Sequence, residues 1–163
     1  MLRAVHERDG YPVDFPADPV GWLTPEGVVD VWVAGEGDVL GGHVALTRAG
    51  AGDVAPGLLG GGAVLVVGRL FVAPRARGLG LGAWLLRTAS RAARERGARA
   101  VLDVVASDTA AVALYERAGW QALGGVEQDW GGRRVALRCF AAPLDPVTPG
   151  VPSPPPSGRG RSS

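Results

Sequence analysis

The chain has no lysine, no isoleucine and no asparagine, one cysteine (Cys139) and two histidines (His6 and His43). A single cysteine excludes an intrachain disulfide framework, and one thiol with two imidazoles cannot build a Cys/His zinc site. A reducing compartment and no metal site are therefore expected. An excess of one charge sign is missing too: 17 basic and 16 acidic groups leave a formal net charge of +1. That is too little to neutralise a run of phosphates, so nucleic acid is not an expected partner. No apolar run approaches the ~20 residues of a membrane-spanning helix; the stretch Ala63 to Val67 is followed at once by glycine. The N-terminus, MLRAVHERDG, is charged where a signal peptide would be apolar. A cytoplasmic protein with no membrane partner is expected. The missing residue types, beside 26 glycines, suggest GC-rich coding rather than a function.

What is present is apolar enough to fold: 47% of 163 residues are hydrophobic, which fits one globular domain. Residues 1–142 are expected to form it, and residues 143–163, PLDPVTPGVPSPPPSGRGRSS, to be a disordered Pro/Ser/Gly-rich tail. The four prolines between Gly10 and Gly27 forbid a long helix there, since each removes a backbone donor. The β-branched runs Val28 to Ala34 and Leu40 to Thr47 predict a hairpin with Glu36 in its turn. Ala49 to Gly62 is expected to be a mobile loop. Ala63 to Val72 is nearly continuous in apolar residues and reads as a strand central in its sheet. Apolar positions from Gly80 to Arg96 follow helical spacing. A strand at Arg99 to Ala106 and a helix at Asp108 to Ala118 complete a second βα unit, and Trp120 to Gln128 with Arg134 to Ala141 form a last strand pair. The order implies an α/β domain of the mixed-sheet, α+β kind.

The chemistry concentrates in VAPRARGLGLGAWLL, residues 72 to 86. Gly78, Gly80 and Gly82 strip side chains from a turn that opens a helix, so its amides can approach an anion at the positive helix end. Arg75 and Arg77 add directed donors. A Walker loop requires a lysine after its last glycine, and none exists here. Gly78, Gly80 and Ala83, with Asp103 further on, also fit the G-x-G-x-x-A pattern of a dinucleotide-binding unit. That leaves a nicotinamide-dependent oxidoreductase as an alternative. The same glycines could equally serve a tight turn alone.

Val72-x-Pro74-x-x-Arg77-Gly78-x-Gly80-x-Gly82, followed by Leu85-Leu86, resembles the pyrophosphate-binding signature of the GNAT superfamily of acetyl-CoA-dependent N-acetyltransferases. Ser107 to Trp120, SDTAAVALYERAGW, resembles a second segment of that family, and together the matches run from Leu70 to about Trp120. The resemblance implies a mostly antiparallel sheet flanked by helices, in which two parallel strands splay apart and acetyl-CoA enters the gap. It further implies that Leu70, Phe71 and Val72 meet pantetheine and the acetyl carbonyl through their backbone. Amides from Arg77 through Gly78, Leu79, Gly80, Leu81, Gly82 and Ala83 would hold the pyrophosphate. Asp108 stands where the family often has asparagine and would touch the cofactor. Tyr115 would be the general acid that protonates the thiolate of CoA; a phenol near pKa ~10 facing a thiol near ~8.5 suits that exchange. Its plainer reading is a half-buried core aromatic.

The general base is open. Asp103 is the first candidate because a carboxylate inside the apolar strand RAVLDVVA needs a partner or a task. His43 is a second, with a structural role as its alternative. Cys139 reads as core rather than acyl carrier, which favours direct transfer in a ternary complex. The resemblance implies a primary amine as acceptor, of a small molecule or peptide, with small-molecule amines, peptide N-termini and aminoglycoside-like drugs all open. Trp22, Trp32, Phe15 and the carboxylates Asp14, Asp18 and Glu26 lie in or near the segment that shapes its site, and those acids would suit a cationic amine. The same residues could instead be a packed base and a solvated rim. A non-catalytic acyl-CoA-binding or sensing domain is the second functional reading. A homodimer is left open.

Overall fold

The structure, a computed structural model, describes residues 1–36 and 39–144. Apart from Pro143 and Leu144, the tail expected to be disordered lies outside the described residues. The elements run α1 (Leu2–Asp9), α2 (Pro19–Leu23), β1 (Val28–Glu36), β2 (Val39–Thr47), α3 (Ala55–Leu59), β3 (Val64–Val72), a 3-10 turn (Pro74–Ala76), α4 (Leu81–Glu95), β4 (Arg99–Val105), α5 (Thr109–Arg117), β5 (Gln121–Trp130) and β6 (Arg133–Ala141). One six-stranded sheet has the order β1-β2-β3-β4-β6-β5. All neighbours are antiparallel except β3 and β4.

That parallel pair decides the shape of the site. β3 and β4 are in register only from Val64–Val66 against Arg99–Val101, after which the strands separate. Just beyond the last paired residues, β3 carries a bulge: His43 opposes Phe71 and Ala45 opposes Gly68, so one extra residue sits on β3. Arg69 in the bulge has φ 51°, the one positive φ of a non-glycine among the described residues. A non-glycine in that region costs ~1–2 kcal/mol, and a bulge bends and re-aims its strand. β3 leaves β4 because of this extra residue.

One face of the sheet carries α4 and α5. Leu85, Leu86, Ala89, Ala92 and Ala93 form the buried stripe of α4 and pack with Val44, Leu46, Leu65, Val67, Leu102 and Phe140. Burial of each such leucine is worth ~1.5–3 kcal/mol, which is why the amphipathic period of this helix is its strongest sequence signal. The opposite face holds two smaller clusters. Val66, Val101, Cys139 and Ala141 sit with Ala55 of α3; Phe71 sits with Leu2 and Val5 of α1, and with Tyr11, Phe15, Trp22 and Leu23 packed on them.

Two segments differ from the sequence expectation. α1 has no counterpart in it, and the expected loop over Ala49 to Gly62 contains α3. The cause of the second lies far along the chain. Asp103 of β4 accepts from the amides of Val54 (2.7 Å) and Ala55 (2.8 Å), fastening the first turn of α3. A cap supplied from that distance leaves no trace in local composition.

Candidate functional site

β3 leads through the 3-10 turn to Arg77 and then to the glycines. Gly78 and Gly80 have φ of 78° and 73°, which glycine alone adopts without strain. A Cβ built at either would meet no atom within 4 Å, so open space lies over both. Gly80 caps α4 without any side-chain bond. The helix ladder begins with the Trp84 amide on the Gly80 carbonyl at 3.0 Å, and the amides of Leu81, Gly82 and Ala83 precede it. Amides at that place have no helical acceptor. At the head of a 15-residue helix they form a site for an anion.

This loop closes one end of a cleft of about 540 Å³. Leu70, Phe71 and Val72 line one side, Leu114 and Tyr115 of α5 the other, with Gly78, Gly80, Leu81, Gly82, Ala83 and Asp108 around the glycine end. The cleft lies between α5 and the part of β3 beyond its pairing with β4. Tyr115 is only 7% exposed; its ring packs against Phe140 (5.7 Å between centroids) and Trp120 (6.0 Å). Burial first, then the neighbouring Tyr11 and the Asp108 carboxylate, push its phenol above the ordinary range, so it remains protonated at any working pH. Its hydroxyl has no hydrogen-bond partner among the described residues.

The acetyltransferase (GNAT) family matches residues 4–120. The chain belongs to the GNAT acetyltransferase family. Solved structures agree in fold. One is NAA60 of Arabidopsis thaliana in complex with acetyl-CoA (18% identity, TM-score 0.65, 84% of this chain and 88% of that one). A second is yncA of Salmonella typhimurium, a putative acetyltransferase with its cofactor acetyl-CoA (23%, 0.56, 76% and 68%). A third is a ribosomal-protein-alanine N-acetyltransferase of Brucella melitensis (25%, 0.56, 70% and 68%). No curated protein matches the chain by sequence. The mixed sheet with one parallel pair, flanked by helices, is the GNAT architecture expected from the sequence.

Within this GNAT cleft the residues singled out from the sequence divide. Leu70, Phe71, Val72, Arg77, Gly78, Gly80, Leu81, Gly82, Ala83, Asp108 and Tyr115 all line it. Leu79 does not; its side chain is 75% exposed, leaving only its amide on the loop. Arg77 is drawn to α1: its guanidinium grips both carboxylate oxygens of Asp9 and donates to the Val72 carbonyl at 3.3 Å. Asp108 uses one oxygen to cap α5 through the Ala111 amide at 3.0 Å.

Asp103 requires correction as general base. It is absent from the cleft lining and lies with Val101 on the sheet face opposite α5, where both carboxylate oxygens accept from α3. Helix capping is the task the structure gives it. His43 does not line the cleft either; it is buried, donates from Nδ1 to the Arg69 carbonyl at 2.8 Å and stacks on Phe71 at 5.3 Å. Cys139 is fully buried, and burial together with the Asp103 carboxylate pushes its thiol up to about 12. It is core, as expected.

The acceptor-side acids do not assemble. Asp18 caps α2 through the amides of Val20 and Gly21, Asp14 and Glu26 are exposed, and Trp32 packs on the α4 face. The charge that faces Trp22 is instead a cation: the Arg69 guanidinium carbon stands 5.0 Å from the Trp22 ring centre. Among the polar residues lining the cleft, Tyr11, Asp9 and Arg117 escaped the sequence reading; Arg69, beside Trp22, is not one of its lining residues. The proline-rich segment hid Tyr11, because its prolines mark irregular backbone and not where that backbone lies, and Asp9 ends a helix, α1, that had no counterpart in the sequence expectation.

Proposed function

We propose that this protein is an N-acetyltransferase that moves the acetyl group of acetyl-CoA to a primary amine by direct attack in a ternary complex. One observation carries the reading: an uncapped glycine-rich helix start, an unpaired strand edge and a protonated phenol with a free hydroxyl converge on one cleft. The donor fits what is there. Open space over Gly78 and Gly80 admits a pyrophosphate to the amides of Leu81 to Ala83, and the strand edge from Leu70 to Val72 offers main-chain groups to an extended amide-bearing arm, as an added strand would use them.

Acetyl-CoA supplies an activated thioester. In this reading the Val72 amide polarises its carbonyl oxygen. As the amine nitrogen forms its bond to the carbonyl carbon, the carbon–sulfur bond breaks, and the Tyr115 hydroxyl gives its proton to the sulfur. Burial, which holds the phenol above its ordinary range, makes it a weaker acid toward the thiolate and its phenolate a stronger base, so the transfer is completed as the surplus proton of the amine returns to the phenolate through water. Tyr115 is thus a relay. Cys139, buried and held as a thiol, supports no acyl-enzyme, which leaves direct attack.

Thermal melting with acetyl-CoA, CoA, NAD and ATP tests the reading, since a ligand bound only by the native state adds ~2.7 kcal/mol at one hundred times its Kd. A shift with acetyl-CoA and CoA, followed by amine-dependent thiol release, is expected. A shift with NAD alone would establish a dinucleotide-binding protein. Acetyl-CoA binding with no thiol release across a broad amine panel would establish a silent acyl-CoA-binding domain.

A further inference from the structure

Arg69 is unusual among the arginines of this chain. It stands in the left-handed region at the bulge, where glycine would fit without strain. Its Nε is buried without a hydrogen-bond partner, and no carboxylate pairs with it among the described residues. Asp53 is near enough for its charge to be felt, but that carboxylate accepts from the Gly50 amide at 2.6 Å. Nε is thus a buried donor with nothing to hold, while the guanidinium, part of a residue only partly buried, lies over the Trp22 ring.

Its position relates it to the reaction. Arg69 directly precedes Leu70 on the strand edge and lies on the face covered by α1, α2 and their connection. There the rings of Tyr11, Trp22 and Phe71 stand 5.9 to 6.5 Å apart. Trp22 lies under the guanidinium, and His43 fixes the bulge by holding the Arg69 carbonyl. The rings are packed on one another, and Tyr11 and Phe71 also line the cleft beside Leu70, although Arg69 and Trp22 are not among its lining residues.

We infer that Arg69 anchors the carboxylate of the acceptor, and that the acceptor is a small amino acid whose amine meets the acetyl group at the Leu70–Val72 edge. This rests on the transferase reading above. Arginine suits the role because its planar fork matches a carboxylate with two parallel donors, which an ammonium does not. A site built around an unpaired buried donor also rejects analogues that cannot accept from it.

Matched sets test it: each common amino acid with its methyl ester and its decarboxylated amine, together with a polyamine and a short peptide beginning with aspartate, assayed for thiol release from acetyl-CoA. The wild type is expected to favour the free amino acid over its ester by roughly 10- to 100-fold in kcat/KM, the worth of a charge-assisted bond. Arg69→Met, which keeps the apolar stem over Trp22, should collapse that ratio to within about threefold. Arg69→Lys should retain only part of it. The acetyl-CoA melting shift should persist in both variants. Equal or better use of esters, amines, polyamine or the peptide by the wild type would overturn the inference while leaving the transferase reading intact. A ratio that survives in Arg69→Met would overturn it as well. Should that variant not fold, the wild-type ratios and Arg69→Lys still decide. Loss of the acetyl-CoA shift in the wild type would instead remove the transferase reading and the inference with it.

Discussion

His43 on β2 holds the backbone of Arg69 on β3, its Nδ1 donating to the Arg69 carbonyl at 2.8 Å while Nε2 stays buried without a partner. The bond crosses the sheet at the bulge that opens the cleft, so an imidazole outside the cleft helps set its width. Burial, with the nearby Arg69 cation adding to it, holds His43 below the usual imidazole range. The folded protein therefore resists a proton that the unfolded chain accepts near pH ~6.5. This stability is fully present above that value and is lost as pH falls through the lowered native value. Melting midpoints between about pH 7.5 and 5.5 should decline in the wild type and decline less in His43→Gln, which keeps an N–H donor for the Arg69 carbonyl. Parallel slopes for the two proteins would show that His43 does not report on folding.

Asp103 invites the opposite kind of test. Its carboxylate serves the amides of Val54 and Ala55, so Asp103→Ala leaves two partly buried donors unpaired and should cost ~1–3 kcal/mol. Asp103→Asn, which keeps one acceptor oxygen, should cost less. Turnover per folded molecule should remain within about threefold of wild type in the Asn variant, because Asp103 does not line the cleft. A loss beyond ~100-fold with the fold intact would restore Asp103 as a base.

The contrast between Asp103 and Tyr115 shows which features could be read in advance. Tyr115 lies in a segment where helical period, a capping Asp108 and a following Gly119 all agree, and its place follows from local pattern. β3, α4 and the glycine loop were legible for the same reason: an unbroken apolar run and an amphipathic stripe record what each element is packed against. Asp103 was ambiguous because its partners sit 48 and 49 positions away, and nothing local marks a long-range cap. The bulge was illegible altogether. Arg69 looks like an ordinary strand residue until pairing with β2 shows that one residue too many has been placed there.

Asp9 occupies the arginine nearest the glycine loop. The Asp9–Arg77 pair is partly exposed, and the arginine holds the Asp9 carboxyl below its usual range. Exposed pairs contribute little to stability, so Asp9→Asn should leave the melting midpoint within about a degree or two. The same change removes a negative charge from the cleft and frees a guanidinium for phosphate. CoA should bind several-fold more tightly at low salt, with the gain fading as salt rises. Weaker binding in Asp9→Asn would mean that the pair positions the loop for its anion instead of competing with it.

Tyr115→Phe removes one oxygen and leaves the ring against Phe140 and Trp120, so folding should be preserved and acetyl-CoA affinity should change by less than about threefold. If the hydroxyl protonates the departing sulfur, kcat should fall by ~10²–10⁴, the usual worth of a positioned acid. A structural role could mimic part of that loss through a slight shift of α5, and the leaving group separates the two. Acetyl thioesters of more acidic thiols need less help in expelling sulfur. A protonating Tyr115 therefore predicts that the ratio of wild-type to Tyr115→Phe rates shrinks steadily as the thiol pKa falls. A shifted helix predicts a constant ratio, because misplacement penalises every thioester alike. A flat ratio would leave Tyr115 as a core aromatic, and the cleft would then need another source for the proton.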